Sequence, residues 1–199
     1  MNRKSTVFSL IIGFMIFFTG CVSKPHFSGK GDMCGMILDE NNKPISDFII
    51  YCNSGPLFFG AASTNAEGIF VFHDVPSGEY SLYGEKNGFV KMKKTGYFFN
   101  DRTKLFCCQL ISASTAFCKI DKYLKNGEIE NAAELVEKIC FEKDSVLASV
   151  VISYQIYLLS FDTNKNKNKK KIEKFIKRLR ELKSIDCKNY ADEMEEKLL

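Results

Sequence analysis

The sequence predicts a β-sandwich or barrel followed by an α-helical bundle, carried behind an N-terminal export signal. Three observations predict it. Short apolar runs broken by turn signals fill residues 33–112. From Ser114 onward the apolar spacing changes to i, i+3, i+4, i+7, the period of helices with one buried face. The chain opens on Asn2-Arg3-Lys4, runs through a nearly uncharged apolar stretch from Val7 to Phe18, and reaches Cys21 across Thr19 and Gly20. A charged start, an apolar middle and small residues at the end are the order of a secretory signal.

The apolar middle is short for a membrane span, which takes about 20 residues at 1.5 Å each. Its close, Phe18-Thr19-Gly20-Cys21, resembles a lipobox, with Phe18 and Thr19 standing where the common motif carries Leu and Ala or Ser. The resemblance implies removal of residues 1–20 and acylation of Cys21, with palmitate among the chains, anchoring the protein to a bacterial envelope membrane. Val22, where some lipoproteins retained at the inner membrane carry Asp, points to the outer membrane. Residues 21–32, rich in Ser, Lys, Gly and Pro, are expected to be the tether.

The strand signals come in order. Residues 35–39 precede the turn residues Asn41-Asn42-Lys43-Pro44, and 48–52 precede Asn53-Ser54-Gly55-Pro56. Asn65-Ala66-Glu67-Gly68 leads into 69–72, and Pro76-Ser77-Gly78 leads into 79–83. Gly68 and Gly78 suit turn positions with positive φ. Phe70 with Phe72, and Tyr80 with Leu82, are spaced by two, so each pair shares one strand face and is expected in the core. Gly35-x-Ile37-x-Asp39, Lys43-Pro44-Ile45, Thr64-x-x-x-Gly68-x-Phe70-x-Phe72, Val75-Pro76-x-Gly78-x-Tyr80-x-Leu82 and Gly88-Phe89 follow one another. Together they resemble the carboxypeptidase regulatory-like domain, which implies a prealbumin-like Greek-key β-sandwich over 33–112. In that family the domain accompanies a zinc peptidase or stands alone as a folding, spacing or binding module.

The helical region is expected over 113–199. Phe117, Ile120 and Leu124 form one stripe, stopped at Asn126-Gly127. Ile129, Ala132, Val136, Ile139 and Cys140 form the next. Residues 146–159, with Asp144 as the expected cap, are apolar almost all round and are expected to be the central buried helix, covered by Ile129, Val136, Phe175 and Leu179. An Asn/Lys loop over 163–170 precedes the stripe Ile172, Phe175, Ile176, Leu179 and Leu182, and a last helix carries Tyr190, Met194 and Leu198. The segment 126–132 resembles a tetratricopeptide hairpin, without a second copy at the repeat period.

The 28 Lys and Arg against 24 Asp and Glu leave a modest net charge of +4, with the cations gathered at Lys165, Lys167, Lys169, Lys170, Lys171, Lys174, Lys177, Arg178 and Arg180. No aromatic residue interleaves the loop lysines, as single-strand nucleic-acid binding requires, so this run is read as a solvated face with no nucleic acid as partner. Spending Cys21 on lipid leaves seven of eight cysteines: Cys34, Cys52, Cys107, Cys108, Cys118, Cys140 and Cys187. They show no CxxC spacing, and Cys52, Cys118 and Cys140 stand where small apolar residues would fit. His26 and His73 are the only histidines, and neither lies in an HxxE or HExxH pattern. The sequence therefore nominates no catalytic residue, no metal ligands and no cofactor, and singles out no ligand-binding residues. The expected function is a membrane-anchored envelope lipoprotein acting as a non-catalytic binding or structural module, with a protein of the envelope as its expected partner. The alternatives are an envelope enzyme with its site between sandwich and helices, or a thiol sensor at Cys107 or Cys108.

Overall fold

The computed structural model describes residues 27–161, 165–182 and 184–198; Cys21, His26 and the export signal lie outside them. Seven strands come first: β1 (Lys30–Asp39), β2 (Ile49–Ser54), β3 (Leu57–Ser63), β4 (Ile69–Pro76), β5 (Gly78–Glu85), β6 (Met92–Phe99) and β7 (Phe106–Leu110). Five helices follow: α1 (Ala113–Lys125), α2 (Ile129–Glu137), α3 (Val146–Ser160), α4 (Lys165–Glu181) and α5 (Ile185–Leu198).

The strands form a three-stranded sheet in the order β4-β1-β7 and a four-stranded sheet in the order β3-β2-β5-β6. All neighbours are antiparallel except β1 and β7, which run parallel from Gly35–Phe106 to Asp39–Leu110. The two sheets face each other across one core, so the architecture is a sandwich. Met33, Ile37, Phe70, Phe72 and Val75 enter that core from one sheet, and Ile50, Cys52, Tyr80, Leu82 and Phe99 from the other. Period-two side-chain alternation is what lets each strand fill the core with one face while the other meets solvent. The buried Thr64 is satisfied: its hydroxyl donates to Ile45 O at 2.6 Å and accepts from Phe48 N at 2.9 Å. Tyr97 Oη donates to Lys104 O at 2.8 Å, pinning the β6–β7 loop to the core edge.

Gly68 has φ +72°, as its turn position implied. Gly78 does not: it opens β5 in ordinary backbone. The first strand also starts earlier than expected, inside the segment read as tether. Lys30 already pairs with Pro76, and the Phe27 ring packs edge-on against Phe99 at 5.4 Å.

The helices pack as two apolar clusters. Ala116, Ile120, Ala132, Val136 and Val151 form the first; Ala148, Ile152, Ile156, Ile172, Ile176, Leu179 and Ala191 form the second. Three expectations need correction. Ser145, rather than Asp144, caps α3, its hydroxyl accepting from Ala148 N at 3.2 Å. The Asn/Lys segment is helical from Lys165, because Asn168 and Ile172 are buried at a four-residue spacing and draw the helix backward past the expected loop. Cys118 is exposed, on the polar face of α1 rather than at an apolar position.

Sandwich and helices are laced together by backbone. The β5–β6 connection runs beside the α2–α3 connection, with Val90 bridged to Ile139, Gly88 N donating to Cys140 O at 2.9 Å and Lys91 N to Lys138 O at 2.7 Å. Beside them Glu40, just past β1, sits at the N-terminus of α1. Its carboxylate accepts from Ser112 N at 3.0 Å, from the Ser112 hydroxyl at 2.6 Å and from the Thr115 hydroxyl. A carboxylate beside free helix N–H groups is favourable on both hydrogen-bonding and dipole grounds.

The Ser112 and Thr115 hydroxyls, in that order, hold the Glu40 carboxyl at about 2, down from the ordinary 4.5. A folded-state value depressed in this way adds stability that is complete above the unfolded value and fades as pH falls through the window from 4.5 towards 2. Thermal melts from pH 6 down to pH 2.5 should therefore show a steeper loss for the parent than for Glu40→Gln. Parallel curves would mean that Glu40 does not carry this dependence.

Candidate binding surfaces

Three clefts border the helices. The one between sandwich and bundle, about 690 Å³, is lined by Asp47, Glu85, Lys91, Lys138, Cys140 and Glu142 among others. Several of its charges are engaged with neighbours: Lys91 pairs with Glu85 at 2.9 Å, Lys138 with Glu134, and Asn87 donates to Glu142 at 3.3 Å. Burial, then the nearby Glu85 carboxylate, pushes the Cys140 thiol up, away from the thiolate that nucleophilic chemistry needs.

The second cleft, about 750 Å³, lies among α2, α3 and α4, with an apolar floor from Ala133, Leu159 and Phe175 and a rim from Glu130, Lys171 and Lys174. Gln155 also lines it, and its buried amide oxygen has no hydrogen-bond partner.

The third opens on α3 and is the least expected. Val146, Val150, Tyr157 and Phe161 are exposed along one side of the helix, at 83, 36, 46 and 49%. Their spacing of four, seven and four residues places them on a single stripe. Beside it Val150, Ser153, Tyr154 and Tyr157 face Asp186 and Tyr190 of α5 across a cleft of about 390 Å³. Leu179 covers α3 as expected, in one cluster with Ile152 and Ile156, but leaves this side of the helix open. The physical reason is geometric: neighbours cover only the opposite sides of α3, through Val151 and Leu158 in one cluster and Ile152 and Ile156 in the other. The uniform hydrophobicity of α3 concealed which side would stay open. Only Ser149 and Ser153, hydroxyls on the open side, distinguished it in the sequence.

The aromatic side chains there are held in place. Tyr154 stacks on Phe117 with ring centres 5.3 Å apart, and its hydroxyl donates to Asp121 at 2.6 Å. Burial, then that hydrogen bond, pushes the Tyr154 phenol up to about 12, so it is a hydroxyl donor and not a base at neutral pH. Tyr157 meets Phe161 edge-on at 4.8 Å. Part of the basic run on α4 is neutralised within the fold, where Arg180 pairs with Asp192 at 2.7 Å and with Glu195.

The residues weighed from sequence do not gather into one site. His73 pairs through Nδ1 with Asp32 at 3.2 Å, not with its neighbour Asp74, and both partners are largely solvated. Cys107 is exposed on the outer face of the three-stranded sheet, while burial pushes the inward-leaning Cys108 thiol up. Cys52 is pushed up to about 11 by burial alone. All seven described cysteines are free thiols. Among the described residues no three His, Cys, Asp or Glu side chains converge as metal ligands, and no helix is long and apolar enough to cross a membrane.

No family model and no curated protein matches the chain. Among solved structures, it is similar to the Bacillus anthracis TIE protein at 16% identity and a TM-score of 0.38, over 42% of this chain and 17% of that one. It is similar to GBS52, the minor pilin of Streptococcus agalactiae, at 10% identity and a TM-score of 0.38, over 43% of this chain and 46% of that one. It is also similar to the 5-hydroxyisourate hydrolase of Klebsiella pneumoniae at 17% identity and a TM-score of 0.32, over 41% of this chain and 88% of that one. The chain spans less than half the length of the first three structures it matches.

Proposed function

We propose that this protein is an envelope lipoprotein, anchored in the outer membrane through acylated Cys21, whose helical region recruits a protein partner without chemistry of its own. On this reading the sandwich is a prealbumin-like module of the carboxypeptidase regulatory type that spaces the helices from the lipid. The observation that carries it is the open stripe of α3. Four large apolar side chains left in solvent along 16 residues, a length of about 24 Å at 1.5 Å per residue, match one face of a partner helix. Tyr154 and Tyr190 beside it add aromatic area with hydroxyl tips, a composition enriched at protein contacts. In the sandwich–helix cleft Lys91 is paired with Glu85 and burial favours the protonated Cys140 thiol, which favours the binding reading over the enzyme.

The test is a pull-down from solubilised envelope with the acylated chain as bait, comparing the parent with a Val150→Asp/Tyr157→Asp variant of unchanged helical content. Partners captured by the parent should be lost or weakened at least about tenfold in the variant, since central aromatic contacts carry most of an interface's energy. Equal recovery would remove α3 from the contact.

A further inference from the structure

The end of the sandwich where the chain enters carries a second uncovered surface, separate from the helices. Ser77 N donates to Gly29 O at 2.8 Å, and Lys30 pairs with Pro76, so the β4–β5 turn lies beside the incoming chain. In the other sheet Gly78 pairs with Phe99 and Glu79 with Phe98, at the same end. The β2–β3 hairpin reaches it too: Asn53 pairs with both Ser81 and Phe58, and Ser54 with Leu57. Leu57 and Phe58, exposed at 71 and 63%, and the less exposed Phe59 and Phe98 therefore crowd the entry end of the four-stranded sheet. Cations stand at the same end, on the β1 and β6–β7 side: Lys30, Lys104 and Arg102, whose guanidinium lies 4.3 Å from the Phe27 ring centre and donates to Lys30 O. The carboxylates there are Glu79 and Asp101, with Asp32 and Asp74 one to two residues further in.

We infer that this end of the sandwich rests in the phospholipid surface that holds the anchor, with the β2–β3 hairpin tip immersed at the headgroup–acyl boundary. The inference rests on the reading of Cys21 as the lipid anchor. Six residue steps separate Phe27 from Cys21, at most about 3.6 Å each, so the chain entry stands no more than about 22 Å from the acylated residue. Apolar tips flanked by Lys and Arg are the composition that such a boundary accepts, the rings entering and the cations meeting phosphates.

The chain contains no tryptophan, so Phe58→Trp gives a single fluorescent reporter in the full acylated protein. Ile49→Trp, also exposed but at the opposite end of the sheet, on the neighbouring strand β2 beside Ser63, is the control. Both are reconstituted into phosphatidylglycerol-containing vesicles, recovered by flotation, and measured with lipids brominated near the top of their acyl chains. Emission from Phe58→Trp should fall by about half or more, given immersion of about 5–10 Å, and Ile49→Trp should be unaffected. Floating protein with equal or absent quenching at the two positions overturns the contact while leaving the anchor intact. A chain that lacks lipid on Cys21 by mass and does not float overturns both. A blue-shifted Phe58→Trp emission that reddens on dilution without vesicles assigns the hairpin to a second copy of the chain, and also overturns the inference.

Discussion

Gly68→Val should leave the sandwich largely unfolded at 37 °C, with the urea midpoint of any folded remainder far below that of the parent. Two costs add. Gly68 sits at φ +72°, where an L side chain costs about 1–2 kcal/mol and a β-branched one is least tolerated. A Cβ there would also stand 2.6 Å from Ile37 O and 3.0 Å from the Pro44 ring. The obstacle is backbone of the central strand, already accepting from Ile45 N at 3.0 Å, so nothing can step aside without breaking a ladder. Overpacking of this kind costs about 1–3 kcal/mol more. The sum, about 2–5 kcal/mol, is a large part of the stability of an ordinary domain. Gly68→Ala is the graded control: it shares the φ penalty without the branched side chain and should fall between. A Gly68→Val midpoint within error of the parent would contradict the left-handed turn.

Phe70→Ala should cost about 3–5 kcal/mol, the range for removing a buried aromatic ring. Phe70 is 1% exposed and is the hub of the aromatic core, edge-on to Phe72 at 5.7 Å and to Phe106 at 6.2 Å. Its ring occupies the space over Gly35, where any Cβ would collide with it. That glycine leaves a gap only a large ring fills, so the cavity after Phe70→Ala would be wide and slow to collapse. Phe70→Leu should recover about half of the loss. Urea melts of the full chain decide this, and equal midpoints for Phe70→Ala and Phe70→Leu would show that the site relaxes freely.

The strands that the sequence displayed are those with one wet and one dry face. Residues 35–39, 69–72 and 79–83 alternate because their outer faces meet solvent, and the alternation is visible in Phe70-Val71-Phe72 and Tyr80-Ser81-Leu82. β3 escaped because Leu57-Phe58-Phe59 is exposed despite being apolar, which inverts the usual signal. β6 escaped because Lys93-Lys94-Thr95-Gly96 is exposed without a break, and β7 because its paired cysteines mask which residue turns inward. The helices were legible from their stripes, yet the open side of α3 was not, since a helix apolar all round carries no vector. No catalytic motif led to a site. The surfaces that matter here are apolar side chains left uncovered, and exposure is a property of neighbours far away in sequence.

The parallel pairing of β1 with β7 has a mechanical meaning. The chain enters the sandwich at the start of β1, which the proposed anchor would put on the membrane side, and the helices leave from the end of β7. A pull between anchor and bundle would draw these two neighbours past each other along their axes. The five residue pairs from Gly35–Phe106 to Asp39–Leu110 would then bear the load together in shear, instead of parting one at a time from an end. Glu40, bonded to Ser112 and Thr115 just beyond the last pair, latches the far end of the same two strands. On the proposed reading, that shear geometry lies along the line joining lipid to partner.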